Sequence, residues 1–259
     1  MLLKISSTLI MAFLLVPIVA VVGSSFTATN FPTFPPRGFS LQWYAAVLNE
    51  PAFTDAMKRS FWLGLASSLT AGVLGTLSAL TLSRLGEKGK LIGTLVMSPI
   101  LFPTVVLGLA LLIFFTRVGL AGTFFGLVVA HSLLTTPFVI RLTLASLAEF
   151  DHSLQEAARN LGASPMRTFF QITLPLISPG VIAGVLFAFI LSFDELVVTL
   201  FLVGPEMQTL PIRIYTFLEY DSKPTISAVA TLVILSWIIL GLPLLALRSR
   251  GTRGKTKNG

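Results

Sequence analysis

The sequence predicts an all-α integral membrane protein with six transmembrane helices and a long polar loop between the fourth and fifth. Three observations predict it. The chain is 54% hydrophobic and only 11% charged over 259 residues, where a soluble domain carries roughly 25% charge; its mean hydropathy is +0.88. Apolar runs recur along the whole length, each near the ~20 residues a helix needs to cross a ~30 Å hydrocarbon core. Lys and Arg gather at the ends of those runs and in a C-terminal tail, as membrane orientation requires.

The runs lie at about 7–25, 60–83, 91–115, 123–147, 177–201 and 225–247. Their length favours helices over barrel strands, which are ~10 residues long and alternate in polarity. A helix also satisfies its own backbone in lipid. The first run follows Lys4. Its apolar stretch from Leu9 to Gly23 is near the upper limit for a signal-peptide core, so a retained span is the preferred reading and a cleaved leader the alternative. The external segment 26–56 holds Pro32, Pro35, Pro36 and Gly38. Ser40 then stands as an N-cap before a short amphipathic helix, with Trp43 and Tyr44 as anchors at the outer interface.

In the second run, Ala71, Gly72, Gly75 and Ser78 supply small residues for close helix packing. Pro99 and Pro103 predict a bent third helix. Pro137 frees a carbonyl in the fourth helix. The flanking His131 reads as a satisfied packing residue, and Arg141 as a cation snorkelling to the inner interface. The fifth run carries Asp194 and Glu195 near its external end. Carboxylates at that depth mark a pathway that attracts cations, or pair with a cation such as Arg213. Adjacent residues on a helix point ~100° apart, so the two are not expected to face one cavity.

Orientation follows from the basic residues. One side holds Lys4, Arg84, Lys88, Lys90, Arg141, Arg159, Arg167, Arg248, Arg250, Arg253, Lys255 and Lys257; the other holds Arg37, Lys58, Arg59, Arg117, Arg213 and Lys223. The richer side is cytoplasmic, which places both termini and the 148–176 loop inside. Residues 1–247 form one transmembrane domain, and 248–259 read as a basic, disordered cytoplasmic tail beside anionic headgroups. The net charge of +7 is thereby spent on membrane lipid and does not point to nucleic acid. Cysteine is absent, which excludes disulfides and thiolate metal sites. No His/Asp/Glu cluster has ligand or catalytic spacing, and no Gly-x-x-x-x-Gly-Lys-Ser/Thr pattern occurs; metal, cofactor and intrinsic ATPase roles have no residues to carry them.

The 148–176 loop has its own organisation. Ser153, with Glu156 three residues on, is a capping-box start. Leu154, Ala157, Ala158 and Leu161 form a helical stripe, and Gly162 ends that helix. Ser164-Pro165 begins a second helix bearing Met166, Phe169 and Phe170, closed by Pro175 before span five.

The pattern Glu156-Ala157-Ala158, Gly162, Ile172, Leu174, Pro175 resembles the EAA loop of ABC-importer permeases. The resemblance extends over most of the chain, through Ser192-Phe193-Asp194-Glu195, Gly204-Pro205, Leu210 to Tyr215 and, more loosely, Gly38 to Tyr44. Its nearest subgroup is the second permease of spermidine/putrescine-type importers. It implies a MetI-like permease in the bacterial plasma (inner) membrane, partnered by a dimeric ATP-binding ABC subunit, a second permease and an external solute-binding protein. By resemblance, Glu156, Ala157, Ala158, Leu161, Gly162 and Pro175 couple the chain to the ATPase. A secondary carrier is the rival; the chain shows no internal repeat of the kind such carriers are built from.

Overall fold

Long apolar runs with few interruptions fold as helices, and the breaks fall at a few points where proline, glycine or a side-chain hydrogen bond ends the backbone ladder. The structure, a computed structural model, describes residues 2–253, with side chains described through Ile239. The helices are α1 Leu2–Ser24, α2 Gln42–Asn49, α3 Pro51–Arg84, α4 Gly86–Val96, α5 Thr104–Val118, α6 Phe124–Ala148, α7 Ser153–Asn160, α8 Pro165–Thr168, α9 Leu174–Asp194, α10 Val197–Leu202, α11 Leu210–Tyr220 and α12 Thr225–Arg253. No strand occurs among the described residues.

Among the described residues, four helical stretches are long and apolar enough to cross a membrane: Leu3–Ser24, Pro51–Arg84, Phe124–Ala148 and Pro165–Asp194. The other two runs yield shorter apolar helices, Thr104–Val118 and Thr225–Ile239. The third run is broken rather than bent. A 3-10 turn, Ser98–Leu101, separates α4 from α5, because Pro99 and Pro103 lack the N–H that continuation needs. The fifth run breaks at Glu195 and Leu196. The final helix continues to Arg253, into the segment expected to be a disordered tail; residues 254–259 lie outside the described residues.

The chain divides into two compact units, Met1–Thr54 with Ile214–Gly259, and Asp55–Arg213. In the first, Trp43 is buried and its indole N–H donates to the Thr27 carbonyl at 2.8 Å. The Tyr44 hydroxyl lies 2.6 Å from Ser25 Oγ. The pair expected as interfacial anchors thus hold α2 onto the turn after α1, since a buried indole N–H must find an acceptor. Ser40 Oγ accepts from Gln42 N at 3.1 Å, so Ser40 organises the start of α2 from one residue ahead of its cap, Leu41.

The second unit is built on α3, α6 and α9. A Cβ on Gly72 would lie 2.7 Å from Val185 Cγ2, and one on Gly75 would lie 2.6 Å from Val139 Cβ. Gly184 is only slightly less crowded, its added Cβ 3.0 Å from Val139 Cα. Small residues therefore bring the three backbones together, as the sequence anticipated for α3. In lipid this close packing replaces the hydrophobic drive between helices. α6 runs unbroken through Pro137, and the Thr135 and Thr136 hydroxyls donate to the carbonyls of His131 and Ser132.

Gly75→Val should destabilise the protein by about 1–3 kcal/mol through overpacking, read as a lower melting temperature in detergent. Gly93→Ala, whose Cβ would meet Leu82 Cδ1 at an ordinary 3.7 Å, should leave it unchanged.

Candidate functional site: the loop after α6 and the break after α9

Both features belong to the Asp55–Arg213 unit. After α6 the chain turns at Phe150, which is buried. The α7 start differs from the expected capping box: Ser153 carries no capping side-chain bond, and the cap position is His152. Asp151 Oδ1 instead accepts from Ser153 N at 2.9 Å. A carboxylate closing the turn from two residues back left no trace in the Ser-x-x-Glu spacing.

The α7 end matches its expectation. Gly162 has φ +85, its N–H donates to the Arg159 carbonyl at 2.9 Å, and Ala163 N donates to the Ala158 carbonyl at 3.0 Å. Those two bonds and a left-handed glycine constitute a Schellman motif. Nothing lies within 4 Å of a Cβ added to Gly162, so the turn tip is bare. Gln155 Nε2 donates to Thr173 Oγ1 at 2.7 Å and ties α7 back to its own unit. The apolar stripe faces outward: Leu154 is 44% exposed and Leu161 89%, and on the following segment Met166 and Phe170 are exposed as well. Glu156 and Ala157 are exposed and Ala158 is half-buried.

Ser164 Oγ caps α8 by accepting from Arg167 N at 3.3 Å, with Pro165 in the first turn. Pro175 does not close this segment. α8 passes through a π turn, Phe169–Thr173, directly into α9, where Pro175 occupies the first turn. Pro175 thus lies inside one continuous helical stretch, Pro165–Asp194. The π turn just before it, where Leu174 N donates to the Phe169 carbonyl, is the irregularity through which the helix continues past a residue with no N–H.

At the other end of α9, Asp194 is the last helical residue and Glu195 its C-cap. Asp194 is exposed and Glu195 half-buried. Glu195 Oε1 accepts from Val198 N at 2.9 Å, at the start of α10. Glu195 lines a cavity of about 190 Å³ together with Ser192, His131, Thr135, Pro99 and Phe102; Asp194 does not. The two carboxylates therefore do not share the cavity, and the extended backbone at Glu195, rather than the helical step expected, is what separates them. His131 is fully buried and bonded at both nitrogens, to Ser192 Oγ at 2.8 Å and Thr199 Oγ1 at 3.0 Å. It is the satisfied residue the sequence suggested, yet its partners lie 61 and 68 residues away, beyond any local pattern. A wider groove of about 640 Å³ runs along α4, where its acid and base, Glu87 and Lys90, already pair at 2.6 Å.

The model of the family "Binding-protein-dependent transport system inner membrane component" matches residues 71–253. The chain is 30% identical over 250 residues to the spermidine/putrescine transport system permease protein PotC of Escherichia coli K12, covering 96% of this chain and 94% of that protein. It is 32% identical over 254 residues to the putrescine transport system permease protein PotI of the same strain, covering 95% and 90%. The sulfate transport system permease protein CysT of Salmonella typhimurium is 30% identical over 223 residues, covering 80% of each. Among solved structures, a bacterial ABC transporter involved in import of the acidic polysaccharide alginate superposes with TM-score 0.71 at 18% identity, covering 94% of both chains. The MetNI methionine ABC transporter superposes with TM-score 0.55 at 20% identity, covering 79% of this chain and 98% of the other.

The Ser153 hydroxyl and amide hold the Asp151 carboxyl below the usual carboxylate range. A depressed folded-state value means the bond's contribution is complete above the unfolded pKa of ~3.9 and is lost as pH falls through the lower folded value. The Ser153 amide resonance should therefore stay fixed from neutral pH through the ordinary Asp range and move only below it. In Asp151→Ala the α7 start should already be frayed at neutral pH.

Proposed function

Because this chain belongs to the family of binding-protein-dependent transport system inner membrane components, we propose that it forms half of the membrane pathway for a small organic cation of the polyamine class, with a separate ATPase supplying the energy. The chain is a membrane-embedded permease subunit of an ABC importer. The observation that carries the coupling role is the bare Schellman turn at Gly162, with Leu161 and Met166 left in the open beside it. Exposed apolar groups on a polar loop are what a docking partner covers. In this reading Glu156, Ala157, Ala158, Leu161 and Gly162 seat in a groove of the ATP-binding subunit, while Pro175 sets the first turn of the helix that carries motion inward. Both termini and the loop are cytoplasmic, a second permease completes the pathway, and an external binding protein delivers the solute. Closure of the ATPase dimer draws the two loops together and turns the cavity outward.

The cation class rests on two supports. PotC and PotI align over nearly the whole chain, and Asp194 and Glu195 put two carboxylates at the α9 break without forming a mutual pair. A carboxylate lowers the energy of an approaching ammonium and raises that of an anion. The similarity to a sulfate permease makes anion uptake the competing outcome.

Gly162→Asp should abolish uptake and recovery of the ATPase with the tagged chain, while the chain stays in the membrane. In the free chain the change meets no neighbour and costs only the left-handed backbone strain, about 1–2 kcal/mol; normal uptake would refute docking at this turn. Asp194→Asn should lower putrescine uptake by roughly tenfold, the equivalent of about 1.4 kcal/mol. An unchanged rate, or uptake of sulfate in place of putrescine, would overturn the cation reading.

A further inference from the structure

The break between α9 and α10 has no covalent cause. Residues Ser192 to Val198 include neither glycine nor proline, the usual reasons for a helix to stop. Glu195 is extended, with ψ 113, and Leu196 follows at φ -101. The groups that leave the helix are taken up by side chains: Glu195 Oε1 accepts from Val198 N at 2.9 Å, and the Thr199 hydroxyl donates to the Glu195 carbonyl at 2.7 Å. A hydroxyl has one proton. With that proton committed to Glu195, Thr199 Oγ1 can only accept from His131 Nε2, 3.0 Å away, so Nε2 carries hydrogen. In the neutral ring Nδ1 is then the acceptor, and Ser192 Oγ donates to it across 2.8 Å. Ser192 precedes the break and Thr199 follows it. All three side chains are buried.

We propose that His131 is a positioning residue. As the Nε2–H tautomer it splints the α9–α10 break from α6, and so holds the Glu195 carboxylate at the edge of the cavity it lines with His131 and Ser192. The inference deepens the pathway role given to Glu195 and rests on it for the link to transport; the splint itself stands on the four hydrogen bonds. One rigid ring joined to both sides of the break fixes their spacing in a way that two independent local bonds do not.

The chain lacks cysteine, so a single thiol at Leu191, another cavity-lining position, reports the opening of the break without knowledge of the solute. The test measures the rate at which 2-aminoethyl methanethiosulfonate modifies Leu191→Cys in membranes containing the assembled importer. Adding His131→Ala or Thr199→Val should raise that rate by roughly tenfold, a free-energy change of one decade. The two together should do less than the sum of the two alone, because both remove the His131–Thr199 bond while each also removes one bond of its own, to Ser192 and to the Glu195 carbonyl. His131→Gln, whose amide N–H can still reach Thr199, should stay within about threefold of the parent. Thr199→Val keeps the ring and nearly the shape of the side chain, so it decides the matter if His131→Ala fails to reach the membrane. An unchanged rate in Thr199→Val overturns the splint. So does a His131→Gln rate as high as that of His131→Ala, which would mark a packing role. Putrescine uptake by Glu195→Gln separates the two readings: normal uptake alongside a released thiol in His131→Ala removes the pathway role and leaves the splint standing.

Discussion

Within a bilayer, a backbone amide or carbonyl that leaves its helix has no water to bond to, and the second unit is arranged around how that demand is met at two interruptions. Between α4 and α5 the chemistry of the chain meets it. Pro99 and Pro103 bring no N–H to satisfy, and a 3-10 turn closes the gap with Ile100 N donating to the Met97 carbonyl at 3.2 Å. Between α9 and α10 side chains meet it, through Glu195, Thr199 and, behind them, His131. Pro99 and Phe102 from the first interruption and Ser192 and Glu195 from the second border the same cavity. Irregular backbone at such depth is tolerated where it is packed in protein or lines a cavity. Here it does both.

The close approach of α6 and α9 makes this possible. A Cβ on Gly180 would collide with Ser146 Oγ and the Leu142 carbonyl, and one on Gly184 with Val139. Phe138 and Phe187 pack across the same interface with ring centroids 5.3 Å apart. Side chains that reach only a few ångströms can bridge these helices because the backbones are already near. The imidazole on α6 meets a hydroxyl on α9 at 2.8 Å for the same reason that glycine is required two turns away.

Much of this was legible in the sequence. Run length and charge revealed the helical class, and the small residues of α3 identified its packing face. Gly162 announced a left-handed turn because no other residue occupies that region cheaply. What stayed hidden depended on partners distant in the chain or on competition between neighbours. Ser153 and Glu156 have capping-box spacing, yet Asp151 reaches the same amide first. Trp43 looked interfacial because its composition suits a headgroup belt, while the Thr27 carbonyl that buries it lies outside any local window. Pro175 read as a stop because proline usually is one; the π turn just before it carries the helix past the missing N–H. The fifth run looked continuous because its break holds no breaker residue: local side-chain bonds of Glu195 and Thr199 take up the freed groups, and His131 bonds both flanks from 61 and 68 residues away.

The absence of a stop at Pro175 has a mechanical consequence. Pro165–Asp194 is a helical stretch of 30 residues, about 45 Å long at 1.5 Å per residue. One end abuts the Gly162 turn and the other ends at Glu195. A hinged connection would dissipate a push received at the turn, whereas a strut passes it on. Rocking such a rod by about 5° around its midpoint carries each end through ~2 Å, which is most of a hydrogen bond's length. The π turn at Phe169–Thr173 and Pro179 are the irregular points along it, so the rod's compliance is concentrated in the half nearer the Gly162 turn and the length beyond moves as one piece.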